Sequence, residues 1–151
     1  ELKGNTLLLF QYVEKHGKPL HDIFQTTDRR VFFVHGGVKA EDREDIRKIV
    51  EQEENAIIIA SYGTFSTGVN IRNLHNIIFS SPSKSRIRNL QSIGRGLRIS
   101  SNKKRVTLYD IVDNLSYKGY QNYALKHFME RADTYAKEGF QYKLYSVKIG
   151  E

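Results

Sequence analysis

Five short runs of apolar residues divide the chain, and each is a continuous block rather than an alternation of apolar and polar positions. β-Branched, leucine and aromatic side chains dominate these blocks, which favours strands over helices. Continuous blocks of this length are typical of strands that are buried on both faces of a parallel sheet. The predicted strands are Thr6–Phe10, Val31–Val34, Ala56–Ala60, Asn76–Phe79 and Val106–Val112.

The stretches between the predicted strands carry apolar residues at the spacing of a helix face. The three faces consist of Leu20, Ile23 and Phe24, then Ile46, Ile49 and Val50, then Ile87, Leu90, Ile93 and Leu97. Strands that alternate with helices predict an α/β fold, with a parallel sheet flanked by helices.

Beyond the fifth predicted strand, apolar residues recur every four positions and predict a long helix over Tyr117–Lys137. Tyr120 and Phe128 belong to this stripe, and we expect it to pack on its own domain or on a missing neighbour. The alternative is that its tyrosines stack on nucleic-acid bases. The alternating residues of Gln141–Ile149 predict a terminal strand at a sheet edge.

Size and composition limit the classes of protein to which the chain could belong. Its 151 residues suffice for one domain with a core. No apolar run approaches the roughly twenty residues that span a bilayer, and there is no cysteine for disulfides or thiolate chemistry. The absence of cysteine fits a cytoplasmic protein. Because the histidines have no metal-ligand spacing, we expect no metal site in the chain itself. Because the chain begins at Glu1 rather than Met, we expect it to be part of a longer protein.

The net charge of +7 is concentrated in one stretch of the chain. Between Lys84 and Arg105 there are eight basic residues and no Asp or Glu, whereas Glu41–Glu54 is rich in acid. A one-sided basic region is typical of a domain that binds a polyanion such as nucleic acid or a nucleotide.

The basic stretch contains Gln-Ser-Ile-Gly-Arg-Gly-Leu-Arg from Gln91 to Arg98, the pattern Q-x-x-G-R-x-x-R. Arg95 and Arg98 are three positions apart and lie on one face of a helical turn. Gly96 between them leaves one side bare, so a ligand could approach closely. Two permanently charged guanidinium groups suit a polyphosphate, above all the charge that spreads over a transferring phosphoryl group. The alternative is a basic surface that only faces water.

Small and polar residues follow every predicted strand. Because open α/β sheets bind ligands beyond the carboxyl ends of their strands, we expect these residues to meet at one edge. Their N–H and O–H groups could bind phosphate oxygens without reading bases; the alternative is ordinary turn chemistry. They are Gln11-Tyr12, His35-Gly36-Gly37, Ser61-Tyr62-Gly63-Thr64, Ser80-Ser81-Pro82-Ser83, and Asp110 with Asp113.

Taken together, these segments resemble the second RecA-like domain of superfamily-two helicases over residues 5–113. Thr6–Gln11 is similar to motif IV of that family, His35–Arg43 to motif IVa, Tyr62–Asn70 to motif V and Gln91–Arg98 to motif VI. Within the family, the sequence is similar to phage helicases of recombination and repair that act on branched DNA. The resemblance implies a RecA-like domain over residues 1–115 and a helix-and-strand extension over residues 116–151 that packs on it.

The resemblance also implies roles for individual residues. Arg95 and Arg98 would reach the γ-phosphate of ATP, with Arg98 as the arginine finger, and Gln91 would position the nucleotide. Gly94 would permit the approach of the nucleotide, and Gly68 and Asn70 would lie at the cleft between two domains. Many relatives have Asp where Asn70 stands, and Asn keeps hydrogen bonding but loses the charge. The implied nucleic-acid contacts are Gln11, His35, Gly36, Arg43 and Thr64.

The chain contains no P-loop pattern G-x-x-x-x-G-K-[ST] and no Asp-Glu-x-His. We therefore expect ATP and Mg²⁺ to be held mainly by an N-terminal RecA-like domain of the same polypeptide. The implied protein is an ATP-dependent DNA helicase in the cytoplasm, or in the host cytoplasm if it is phage-encoded. Its nucleic-acid partner would be branched or single-stranded DNA.

Two other classes of function stay open on the residues alone. One is a non-catalytic nucleic-acid-binding module. The other is a nucleotide-sugar-binding domain of a transferase, which is also α/β with basic loops, although the Q-x-x-G-R-x-x-R spacing argues against it.

Overall fold

The computed structural model describes residues 2–66, 71–81, 106–120 and 122–149, and within them a single parallel sheet of five strands. The strands are Thr6–Phe10 (β1), Val31–Val34 (β2), Ile57–Ser61 (β3), Asn76–Phe79 (β4) and Thr107–Asp110 (β5). All neighbouring pairs are parallel, in the order β2-β3-β1-β4-β5. The predicted α/β fold and all five predicted strands are confirmed. Burial on both faces holds for the central strands, whereas Thr107 and Tyr109 of the edge strand β5 are exposed.

Helical elements connect the strands. A π-helical turn, Val13–Gly17, leads into α1 (Lys18–Phe24), and α2 (Ala40–Gln52) joins β2 to β3. A short helix, α3 (Tyr62–Ser66), follows β3 directly. Two of the three predicted apolar faces thus fall on helices, and the third, at residues 87–97, lies outside the described residues.

The two faces of the sheet carry separate cores. Residues of alternate parity on β1 and β3 point to opposite sides, so that Leu7 and Ile58 belong to one core and Leu8 and Ile57 to the other. The first core also receives Val50 from α2. The second core is covered by α1 through its partly buried residues Leu20 and Phe24.

The amino edge of the sheet is closed by one buried amide. Asn5 is fully buried, and its Nδ2 lies 3.2, 2.7 and 2.9 Å from the carbonyl oxygens of Val50, Glu53 and Asn73. Its Oδ1 accepts a hydrogen bond of 2.8 Å from the backbone N–H of Ala56. The residue that precedes β1 is therefore joined to the connection between α2 and β3 and to the loop before β4.

The helix beyond β5 is α4 (Tyr123–Lys137), which is shorter than the predicted helix over Tyr117–Lys137. Residues 117–120 form a tight turn, with φ of 46° at Lys118 and 84° at Gly119, so Tyr120 does not lie on the helix stripe. Tyr135 of α4 enters the first core, so the helix packs on the sheet.

The strand predicted over Gln141–Ile149 is wrong. In the described part of the chain these residues form no strand, and their side chains are exposed. Gly139 follows the end of α4 with φ of 72°, and the alternating residues beyond it pair with no strand that the structure describes. Alternation alone does not supply the backbone hydrogen bonds that a strand requires.

A buried ion pair holds α4 against the sheet. Arg131 is only 2% exposed, and its Nε and Nη2 donate to Asp110 of β5 at 2.7 and 2.8 Å. The Tyr135 hydroxyl donates to the same carboxylate at 2.6 Å. Burial acts to lower the pKa of Arg131, but the hydrogen bonds to Asp110 and the attraction of its charge together outweigh burial and raise the pKa. Burial and the charge of Asp110 both raise the pKa of Tyr135, which keeps its hydroxyl protonated and donating.

Among the residues that the structure describes, no helix is long and apolar enough to cross a membrane.

We expect the variant Asp110→Asn to lose about 3–5 kcal/mol of unfolding free energy, because it leaves the Arg131 guanidinium buried without a counter-ion. Chemical denaturation of the purified protein measures this loss. The matched control is Lys137→Met, which removes an exposed pair with Asp133 on the same helix and should cost less than about 1 kcal/mol. Equal losses for the two variants would contradict the assigned role of the buried pair.

Candidate nucleic-acid interface

The carboxyl ends of the five strands form one row across the sheet. The parallel register aligns Val34, Ala60, Leu9, Phe79 and Asp110 along this row. The residues that follow these ends in the chain therefore emerge side by side at one edge of the sheet. The described residues Gln11, His35, Gly36 and Thr64 all belong to segments that leave this edge.

The segment after β1 presents polar groups on a tightly packed turn. Gln11 is exposed, and the carbonyl of Tyr12 accepts hydrogen bonds from His16 and Gly17 at 2.9 and 3.1 Å. A Cβ at Gly17 would lie 2.6 Å from the ring of Phe10, so only glycine lets the π-helical turn pack this closely on the end of β1. Gln11 is thereby held between a buried strand and a fixed turn.

The His35-Gly36-Gly37 turn after β2 fixes the tautomer of a histidine. Its Nδ1 accepts a hydrogen bond of 3.1 Å from the backbone N–H of Gly37, and its ring contacts that of Phe33 at 5.1 Å. In the neutral ring the proton is therefore on Nε2, which remains a donor. A Cβ at Gly36 would meet no atom within 4 Å, so the backbone at Gly36 is open to a ligand.

The segment after β3 pairs two hydroxyl groups. Ser61 Oγ and Thr64 Oγ1 are 2.7 Å apart, and the backbone N–H of Thr64 points to Ser61 Oγ at 3.4 Å. The side chain of Thr64 is buried, so its hydroxyl serves first to fix the start of α3. Gly63 beside it is exposed with no atom within 4 Å of an added Cβ, which leaves this backbone approachable.

The chain leaving β4 is fixed by its neighbours on both sides. The hydroxyl of Ser80 donates to the Leu9 carbonyl of β1 at 2.7 Å. The buried hydroxyl of Tyr62 in α3 donates to the carbonyl of Ser81 at 3.1 Å. The segments after β3 and β4 are thus tied to each other, and the segment after β4 is also tied to β1.

Arg43 is placed on α2, one turn beyond its start. Its Nε is buried and has no hydrogen-bond partner among the described residues. Arg47, one turn further along the same helix, is engaged by Glu44 and Glu51 at 2.6 Å each. The hydrogen bond from Arg47 lowers the pKa of Glu44. Unlike Arg47, Arg43 forms no ion pair with the residues that the structure describes.

The other predicted site residues, Gln91, Gly94, Arg95, Arg98, Gly68 and Asn70, lie outside the described residues. Within the described ranges, no group of three or more His, Asp or Glu side chains is placed to hold a metal ion.

Sequence reasoning missed a small open pocket beside the edge. Its volume is about 250 Å³ and its lining includes Lys15, His16 and Ser80, with α1 as its apolar wall. His16 Nδ1 is buried there without a hydrogen-bond partner among the described residues. The π-helical turn places Lys15 and His16 opposite Ser80. No residue spacing in the sequence predicts such a turn.

A comparison with protein families identifies the family to which this domain belongs. Residues 1–100 match the helicase conserved C-terminal domain. The chain belongs to that family. The carboxyl edge described above is thus an edge of a helicase C-terminal domain, with the residues that leave β1, β2 and β3 along it.

Known proteins agree with this assignment. The ATP-dependent DNA helicase uvsW of Enterobacteria phage T4 is 35% identical over 155 residues, which cover 96% of this helicase domain and 31% of that protein. The crystal structure of T4 UvsW superimposes with a TM-score of 0.71, at 34% identity, and covers 91% of this chain and 30% of that one. The predicted RecA-like fold and the resemblance to helicases are both confirmed.

A more distant structure repeats the fold. The C-terminal part of the Fun30 ATPase domain matches with a TM-score of 0.62 at 16% identity, covering 89% of this chain and 48% of that one. The helicase domain described here spans about a third of the length of the phage relative that it matches.

Proposed function

We propose that the chain is the second motor domain of an ATP-dependent DNA helicase or translocase that acts on branched DNA in recombination and repair. The match of residues 1–100 to the helicase C-terminal family carries this proposal. The row of hydrogen-bond donors along the carboxyl edge supports it, because that edge is where open α/β sheets bind ligands.

In this proposal the residues of the carboxyl edge contact the phosphate backbone of one DNA strand and form a phosphate track along the edge. His35 Nε2, the backbone at Gly36 and the amide of Gln11 are donors that suit phosphate oxygens. Thr64, whose hydroxyl is paired with that of Ser61, adds a further contact. Arg43 contributes a charge from α2. None of these groups reads a base edge, so binding is independent of sequence.

The nucleotide is held between this domain and an N-terminal RecA-like domain of the same polypeptide. That domain binds ATP and Mg²⁺, since the present chain has no P-loop. Arg95 and Arg98 supply positive charge to the γ-phosphate, and Gln91 and Gly94 shape the approach. Gly68 and Asn70 line the cleft, where Asn70 contributes hydrogen bonds in place of the carboxylate of many relatives. Bound ATP supplies the free energy that drives closure of the two domains.

The DNA contacts predict a specific salt dependence in the full-length protein. Gln11→Ala and His35→Ala should each weaken single-stranded DNA binding by roughly tenfold, as expected for a hydrogen bond to a charged group. Because Gln11 carries no charge, its variant should leave the slope of log affinity against log salt unchanged. Arg43→Ala should reduce that slope by about 0.7, the value for one phosphate contact on a single strand. Fluorescence anisotropy at several salt concentrations measures both quantities.

Arg47→Ala is the matched control for Arg43→Ala, since it removes the same charge from the same helix but from within an ion triad. A slope that falls equally in both variants would reflect net charge alone and would contradict a contact at Arg43. Wild-type affinity that does not change with salt would contradict the phosphate track as a whole.

The nucleotide role predicts the behaviour of Arg98 variants in the full-length protein. Arg98→Ala should lower kcat for ATP hydrolysis by roughly 10³-fold or more, which equals about 4 kcal/mol of transition-state stabilisation. Arg98→Lys should not restore the rate, because a point charge cannot reproduce the guanidinium fork. ATP affinity and melting temperature should stay near wild type.

Lys104→Ala, in the same basic stretch but outside the motif, is the control and should retain activity. Near-normal kcat for Arg98→Ala, or a loss that follows melting, would contradict the finger assignment. If the full-length protein binds DNA but hydrolyses no ATP, the second candidate, a non-catalytic nucleic-acid-binding module, replaces the motor.

A further inference from the structure

The segment between β5 and α4 is a built hairpin turn rather than a loose connection. Tyr117 and Tyr120 exchange two backbone hydrogen bonds of 3.3 and 3.0 Å, with Lys118 and Gly119 between them. Both central residues have positive φ, 46° and 84°, which is the pattern of a type I′ turn. Lys118 is the one non-glycine residue with positive φ in the described part of the chain.

The base of this hairpin is also fixed. Asn122 is the N-cap of α4, where its Oδ1 accepts from the backbone N–H of Leu125 at 2.9 Å. Its Nδ2 donates to the carbonyl of Asp113 at 2.9 Å, which closes the segment on itself. The hairpin is therefore anchored to the first turn of α4 and to the chain just beyond β5.

The hairpin exposes aromatic rings that a globular core would normally cover. Tyr117 and Tyr120 are 71% and 82% exposed, and Tyr123 at the start of α4 is 80% exposed. Directly paired residues of a hairpin project from the same face with Cβ atoms roughly 5 Å apart. Three tyrosine rings are thus presented to solvent on a short, fixed segment.

The charged residues nearest to these rings in the sequence are basic, with Asp113 and Glu130 just outside the stretch. From Asn114 to Met129 the sequence contains Lys118, Lys126 and His127 but no Asp or Glu. The Lys118 ammonium lies 5.2 Å from the centre of the Tyr117 ring. Exposed aromatic rings interleaved with lysines are the combination that binds single-stranded nucleic acid, because bases stack on the rings and the cations attract the backbone.

The hairpin leaves the same edge of the sheet as the proposed phosphate track. It follows the carboxyl end of β5, while the His35 turn follows β2 at the other end of the row. Four strand spacings separate these two strands, roughly 19 Å across the sheet. One DNA strand that runs along the edge could therefore meet both.

We propose that Tyr117, Tyr120 and Tyr123 form a stacking site for the unpaired bases of single-stranded DNA. The inference rests on the proposed function, and deepens it, because it assigns contacts to the bases where the carboxyl edge contacts only phosphates. The site holds a base by its flat face and is therefore insensitive to base identity.

The test compares two probes on the full-length protein, a single-stranded oligonucleotide and an abasic oligonucleotide of the same length. Wild type should bind the first more tightly than the second by roughly tenfold or more, the scale of stacking on one base or more. The double variant Tyr117→Ala/Tyr120→Ala should lose this preference while it binds the abasic strand as wild type does. The double variant Tyr117→Phe/Tyr120→Phe, which keeps the rings, should retain the preference.

Other outcomes overturn the inference in distinguishable ways. Equal wild-type affinity for both probes removes the stacking site and leaves the phosphate track standing. Equal weakening of both probes by the alanine substitutions means that the hairpin contacts phosphates or supports the fold. Unchanged DNA binding together with a lower melting temperature means that the tyrosines pack on another part of the full-length protein. Failure of wild type to bind either probe rejects the proposed function itself.

Discussion

The amide of Asn5 is the interaction on which the arrangement of the sheet depends. It lies just before β1, the central strand, and it is bonded to the end of α2, to the chain entering β3 and to the loop before β4. All four of these partners are backbone groups, and leaving such a group buried without a hydrogen bond is costly. A single side chain thus sets where two connections, from α2 to β3 and into β4, return to the sheet.

This concentration of hydrogen bonds makes the two edges of the sheet different. At the amino edge Arg29 adds bonds to the carbonyls of Leu2, Gly4, Asn55 and Ala56, so the backbone there is largely satisfied within the protein. At the carboxyl edge the polar groups are hydroxyls, glycine backbone and an imidazole whose Nε2 remains a donor. A sheet fixed at one edge can leave the other edge for a ligand, which is how the fold positions the proposed DNA track.

The sequence predicted the elements whose physics is local and missed those that depend on distant partners. The five strands were predictable because each is a continuous apolar block, and the His35, Ser61 and Ser80 segments were predictable as strand ends. The pairing of Arg131 with Asp110 was not, since nothing in a helical pattern marks an arginine that is buried rather than solvated. The π-helical turn at His16 and the absence of a strand at residues 141–149 were mispredicted for the same reason. A hydropathy pattern does not show which backbone groups will find hydrogen-bond partners.

The segment after residue 115 is connected to the carboxyl edge of the sheet through hydrogen bonds of α4 and of its N-cap. Asp110, the last residue of β5, is held by Arg131 and Tyr135, and the hairpin is closed three residues beyond it at Asp113. Asn122 links the hairpin to the start of α4, and the buried carboxylate of Asp110 links α4 to β5. The buried pair fixes α4 on β5, since removing one partner of such a pair costs about 3–5 kcal/mol. A strand of DNA that contacts both the carboxyl edge and the hairpin would therefore contact segments that the Arg131–Asp110 pair connects through α4.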